Sequence, residues 1–88
     1  MYYTYVLEGQ KTKNLYAGFT PDDVYHRSLK HNAGLVPSTK NRGPWNVIYY
    51  EAHLSRDDAL RREAYFKTTD GKRAIRLMLR SYFRKNNQ

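Results

Sequence analysis

Two tyrosines, an arginine, a histidine and a carboxylate are the residues of this chain whose types and spacing could act on a phosphodiester. Tyr5 lies in Tyr3-Thr4-Tyr5-Val6-Leu7 and Tyr16 in Leu15-Tyr16-Ala17-Gly18-Phe19-Thr20, and two adjacent strands could set the two phenols side by side. Arg27 and His31 are four residues apart, so a helix stacks them on one face with Val24 a turn earlier. There Arg27 could grip a phosphate while His31 exchanges protons or binds the anion. A plain solvated helix face gives the same spacing. Glu63 falls among Ala59, Leu60 and Phe66, the apolar stripe of a later helix. A carboxylate so placed needs a cation or hydrogen-bond donors, because burying it bare costs several kcal/mol. Lys67, one turn on, could supply a salt bridge. Alternatively Glu63 could ligate Mg²⁺, which takes one or two carboxylates, keeps several waters and also binds phosphate. As a base, Tyr5 would need a cation nearby to bring its pKa well below ~10.

These residues need elements to hold them. Residues 2–7 alternate, with Tyr3, Tyr5 and Leu7 on one face and Tyr2, Thr4 and Val6 on the other, which predicts a strand. A polar turn over 10–14 leads to a return strand over 15–19, where Gly18 would allow a close approach. Thr20 as N-cap, Pro21 at the first helical position and Asp23 in capping-box spacing predict a helix from there to about Asn32, ended by Ala33-Gly34. Residues 36–44 read as an exposed, mobile, basic loop. Trp45 to Ala52 reads as a third strand, Val47 and Tyr49 on one face and Ile48 and Tyr50 on the other. Ser55 with Asp58 predicts a second capping box opening a helix to about Lys67, broken by Asp70-Gly71. The last helix, about Lys72 to Arg84, sets Ile75, Met78, Leu79 and Tyr82 against Arg73, Arg76, Arg80 and Arg84. The order β-β-α-β-α-α predicts an α+β domain spanning residues 1–88, a small three-stranded antiparallel sheet flanked by helices.

A chain of 88 residues is near the small end of what folds without staples, so its nine Tyr, three Phe and Trp45 must supply much of the core. With no cysteine, disulfide scaffolds and thiolate chemistry are excluded. No apolar run approaches the ~20 residues of a membrane span, and a soluble cytoplasmic protein is the expectation. The net charge of +8 favours a polyanionic partner, most often nucleic acid. Lys40, Arg42, Arg61, Arg62, Lys67, Arg73, Arg76 and Arg80 are the candidate phosphate contacts. Phosphate-binding glycine loops, recognisable Ser-His-Asp arrangements and zinc-ligand clusters are missing.

With these residues in place, the chain resembles the GIY-YIG endonuclease superfamily. It is most similar to small free-standing bacterial members related to the N-terminal nuclease domain of the excision-repair endonuclease. Tyr3-Thr4-Tyr5 stands at GIY and Tyr16-Ala17-Gly18 at YIG. Arg27 and His31 match the family's first-helix pair, and 44–51 and 59–67 resemble the free-standing subgroup. The resemblance implies a divalent-metal nuclease acting on DNA in repair or recombination. Glu63 would hold Mg²⁺ or Mn²⁺. Tyr5 or a metal-bound hydroxide would activate the water, Tyr16 would orient it, and Arg27 would neutralise charge on the scissile phosphate. Larger family members carry a separate DNA-targeting module. Substrate choice is therefore expected from the basic surface, from a weak homodimer where the monomer does not suffice, or from a targeting protein partner. The rival readings are a non-catalytic nucleic-acid-binding module with the same fold and a small protein-interaction or ribosome-associated domain.

Overall fold

The computed structural model describes residues 1–86. Strands β1 (Tyr2–Gly9), β2 (Leu15–Thr20) and β3 (Trp45–His53) form one antiparallel sheet in the order β2-β1-β3. Helix α1 (Val24–Asn32) lies between β2 and β3, and α2 (Arg56–Phe66), α3 (Thr69–Met78) and α4 (Arg80–Asn86) follow. The α+β class and the three-stranded antiparallel sheet agree with the sequence reading, with one helix more than expected. Among the described residues no helix is long and apolar enough to cross a membrane.

Alternation along β1 sends side chains to two small cores. Tyr5 and Leu7 pack with Val24 of α1 and Trp45, joined by Tyr3, Tyr16 and Val47. On the opposite face Val6 and Ala17 pack with Phe66, Ile75 and Phe83 of α2, α3 and α4. The sheet is thus a partition, with α1 over one face and the later helices over the other. The expected pairing of Val47 with Tyr49 fails here. Val6 opposes Tyr49 while Leu7 opposes Val47, so a bulge at Ile48 breaks the period of two. Val47 then joins the first core, and Ile48 and Tyr49 both join the second.

Helix caps and boundaries also differ from the sequence reading. Asp23, not Thr20, caps α1, accepting from the backbone N–H of Tyr25 and His26 at 2.8 and 3.0 Å. Thr20 instead completes the β1–β2 ladder opposite Tyr3. Ser55 caps α2 without a side-chain bond, since Asp58 pairs with Arg61 instead of closing the expected box. Gly71 does not end a helix; it lies in the first turn of α3, whose cap Thr68 accepts from the Gly71 N–H at 2.9 Å. A side chain there would sit 1.8 Å from the Tyr65 carbonyl oxygen, so glycine is what lets α3 pack on the end of α2. The expected last helix is interrupted at Leu79, after which Tyr82 of α4 donates to Glu8 of β1 at 2.5 Å.

The C-terminus of α1 closes as the sequence predicts. Gly34, at φ 74°, donates to the His31 carbonyl, and Leu35 donates to that of Lys30, a Schellman pattern. The following loop departs from expectation: Lys40 and Arg42 are exposed, but Val36 and Thr39 are buried. Thr39 turns inward because its side chain has a polar partner under α1.

Candidate active site

The β1–β2 register sets Tyr5 opposite Gly18 and Leu7 opposite Tyr16, so the two phenols are diagonal neighbours on one face. Gly18 makes room for the nearer one: a Cβ there would lie 2.3 Å from the Tyr5 ring and hydroxyl. That is the close approach the glycine allows, and its occupant is a side chain of the protein itself. The imidazole of His31 stands against both phenols, its centroid 5.8 Å from Tyr5 and 5.3 Å from Tyr16.

His31 is not a surface histidine. It is 2% exposed, with Nε2 2.7 Å from the Tyr5 hydroxyl and Nδ1 2.7 Å from Thr39 Oγ1. The Thr39 hydroxyl donates to the Val36 carbonyl at 3.4 Å, which leaves its oxygen to accept Nδ1–H. Nε2 is then bare and accepts from the Tyr5 O–H, giving one ordered chain from Tyr5 through His31 to Thr39. The Trp45 indole, donating to the Thr39 carbonyl at 3.2 Å, fixes the far end, while Asn32 clasps the Trp45 backbone through both amide atoms. Thr39 and Trp45 belong to the site, and composition and periodicity gave no sign of either.

Burial, with the Arg27 charge as the second cause, pulls the His31 pKa from 6.5 down to about 4. The imidazole is therefore neutral at physiological pH. Unfolding restores the ordinary value, so between pH 6.5 and 4 the unfolded chain binds the extra proton and stability falls as pH drops. His31 contributes its full share above pH 6.5. The loss levels off below about pH 4 and is on the order of 3 kcal/mol. Urea unfolding from pH 7 to 4 should show this fall in wild type and a shallower one in His31→Gln. Equal falls would assign it to other groups.

Burial pushes the Tyr5 phenol above 10.0, with Arg27 opposing that rise by hydrogen bonding and charge, and Tyr16 and Glu63 adding to it. One buried phenol thus feels Arg27, Tyr16 and Glu63 together, so β1, β2, α1 and α2 all converge on it. Tyr5 itself is 1% exposed and closed off. Tyr16 is half-buried, with its hydroxyl at the surface 3.0 Å from Ser38 Oγ. Arg27 is half-buried, and its Nε is buried without a hydrogen-bond partner among the described residues. A guanidinium held against the Tyr5 phenol, with one of its donors unpaired, is suited to binding an anion.

Glu63 is half-buried and pairs with Lys67 at 3.6 Å, while Lys67 Nζ lies 5.2 Å from the Tyr16 ring centroid. The salt bridge and the ligand role remain compatible, because an i,i+4 pair on a helix is worth only about 0.3–0.5 kcal/mol. Among the described residues no group of three or more His, Cys, Asp or Glu could cage a metal. A single carboxylate suits Mg²⁺ or Mn²⁺, whose other ligands are water and substrate phosphate. His31, with both nitrogens engaged, is not a further ligand.

The expected phosphate contacts sort into two groups. Arg61 pairs with Asp58, Arg73 with Asp70 at 3.3 Å, and Arg62 with Glu51 at 3.0 Å. The Arg62 guanidinium also stacks on Phe66, 4.4 Å from its centroid, which commits it to the fold. Arg80 donates to the Leu77 carbonyl. Lys40, Arg42, Lys67 and Arg76 are exposed, with Lys67 paired to Glu63 and Arg76 stacked 5.1 Å from the Phe83 centroid. Lys40 is on the loop before β3, and Arg42 stacks over Trp45 at 5.9 Å.

The family model for the GIY-YIG catalytic domain matches residues 1–76 of this chain. A UPF0213 protein of Streptococcus pyogenes serotype M5 (strain Manfredo) is 42% identical over 66 residues, which is 74% of this chain and 70% of that protein. A UPF0213 protein of Listeria monocytogenes serotype 4b (strain F2365) is 43% identical over 53 residues, 59% of this chain and 58% of that protein. No solved structure gives a significant match.

Proposed function

The chain belongs to the GIY-YIG catalytic-domain family, and from that premise we propose that it is a divalent-metal-dependent endonuclease hydrolysing DNA phosphodiester bonds in repair or recombination. The observation that carries this reading is the convergence of Tyr16, Arg27 and Glu63 on the buried Tyr5–His31 pair from four separate elements. A domain that only binds nucleic acid needs cations and aromatics. It has no use for a carboxylate close to the same buried phenol.

Each group has a part set by its exposure. Arg27 binds the scissile phosphate and neutralises charge that develops on its oxygens. Tyr16, the phenol open to solvent, orients the attacking water by hydrogen bonding. Tyr5 and His31 lie beneath and fix the floor on which Arg27 and Tyr16 stand, with Thr39 holding the imidazole in one tautomer. Glu63 holds the cation, and Lys67 gives way to it. Bound there, Mg²⁺ or Mn²⁺ would supply Lewis-acid charge against the phosphate and leaving-group oxygens.

The Glu63–Lys67 pair is the observation that favours a second reading, a binding module whose carboxylate is already neutralised. Cleavage of labelled single-stranded, duplex, nicked and branched DNA separates the two. Cutting is expected with Mg²⁺ or Mn²⁺ and should cease in EDTA. Binding without cutting on every substrate, metal present, would overturn the nuclease reading in favour of the module.

A further inference from the structure

We propose that a trough starting at Tyr16 and running along the β2 edge to α3 is the track for one strand of the DNA backbone beside the scissile phosphate. This rests on the nuclease reading above. Two hollows adjoin there. The first, about 300 Å³, is walled by Tyr16, Trp45, Arg42, Lys67 and Lys72, and the second, about 340 Å³, by Asn14, Arg42, Lys72 and Arg76. They share Leu15, Arg42 and Lys72, so they form one continuous depression whose near end is a residue of the reaction site.

Every charged side chain lining it is a cation. Among the described residues no carboxylate lies within 4.0 Å of Arg42, Lys72 or Arg76, whereas Arg61, Arg62 and Arg73 each have one. Exposed lysines and arginines are ordinarily just solvated. Concavity, a single sign of charge and continuity with Tyr16 set these apart. Concave surfaces of one sign also focus the field toward a polyanion. A continuous, cation-lined depression suits a single sugar–phosphate backbone, so a duplex would present one strand to it. Tyr16 and Trp45 at the near end give that strand an apolar wall. Lys72, which the sequence reading did not single out, is central because it borders both hollows.

Binding of labelled single-stranded and duplex oligonucleotides across a salt series in EDTA tests the track without catalysis. The variants are Lys72→Gln and Arg42→Gln in the trough, with Arg73→Gln and Arg80→Gln outside it. Each trough substitution should lower the slope of log K against log salt by about 0.7–0.9, one phosphate contact, and the outside pair should leave it unchanged. Lys72 is exposed, so its variant should melt like wild type and decides the matter even where Arg42→Gln, which loses its Trp45 stack, does not fold well. An unchanged slope for Lys72→Gln, equal losses at Arg73 and Arg80, or no DNA binding by wild type overturns the track. The two readings fail separately. Trough-dependent binding without metal-dependent cutting removes only the nuclease reading, and cutting with an unaltered Lys72→Gln slope removes only the track.

Discussion

Glu63→Gln is expected to abolish metal-dependent cleavage while leaving DNA binding in EDTA unchanged or slightly tighter. The substitution keeps the size of the side chain and removes only the charge that would hold the cation. Its cost to the fold is small, since the partner lost is Lys67 at 3.6 Å on the same helix face, a pair worth about 0.3–0.5 kcal/mol. Binding should not suffer, because removing a negative charge beside an anionic substrate lowers repulsion. Cleavage and binding measured on one preparation distinguish loss of a ligand from loss of structure. Cleavage by the variant at a rate near that of wild type would return Glu63 to the role of an ordinary salt-bridge partner.

Arg27→Ala should reduce turnover by roughly 10²–10³, the usual cost of removing one preorganised donor from a transition state. Among the described residues the guanidinium is the cation that acts on both Tyr5 and His31. Its Nε has no hydrogen-bond partner among them, so the fold has not already used all its donors. Arg27→Lys should recover only part of the rate, because an ammonium keeps the charge but lacks the planar fork that grips two phosphate oxygens. Affinity for DNA should change far less than turnover, since the trough cations remain. A variant with wild-type turnover would make Arg27 a surface charge with no part in the reaction.

The sequence was informative where the signal is local. Alternation over Tyr2 to Leu7 located β1, and a four-residue spacing put Arg27 and His31 on one helix face. Glu63 stood out because a carboxylate interrupts an apolar stripe. Features that depend on how distant segments meet were not legible. Thr20 and Asp23 both offer a capping side chain, and the choice went to Asp23 because β2 still needed Thr20 for its ladder. Gly71 reads as a breaker along the chain, yet its role is clearance for the Tyr65 carbonyl. Nothing in Val36-Pro37-Ser38-Thr39 announces that Thr39 will turn under α1 to meet His31. Arg62 looked like its neighbour Arg61 until β3 brought Glu51 within 3.0 Å.

The fit between Tyr5 and Gly18 carries a consequence for how this sequence can change. The phenol occupies the volume a side chain at position 18 would need, so the two positions behave as one lock with two halves. Any larger residue at 18 must await a smaller one at 5, and shrinking position 5 first leaves a void against the bare backbone. Each single step is unfavourable even where the finished double change would pack well. Directed evolution that accepts one substitution at a time will therefore stall at this pair. A library randomising both codons together is the route past it.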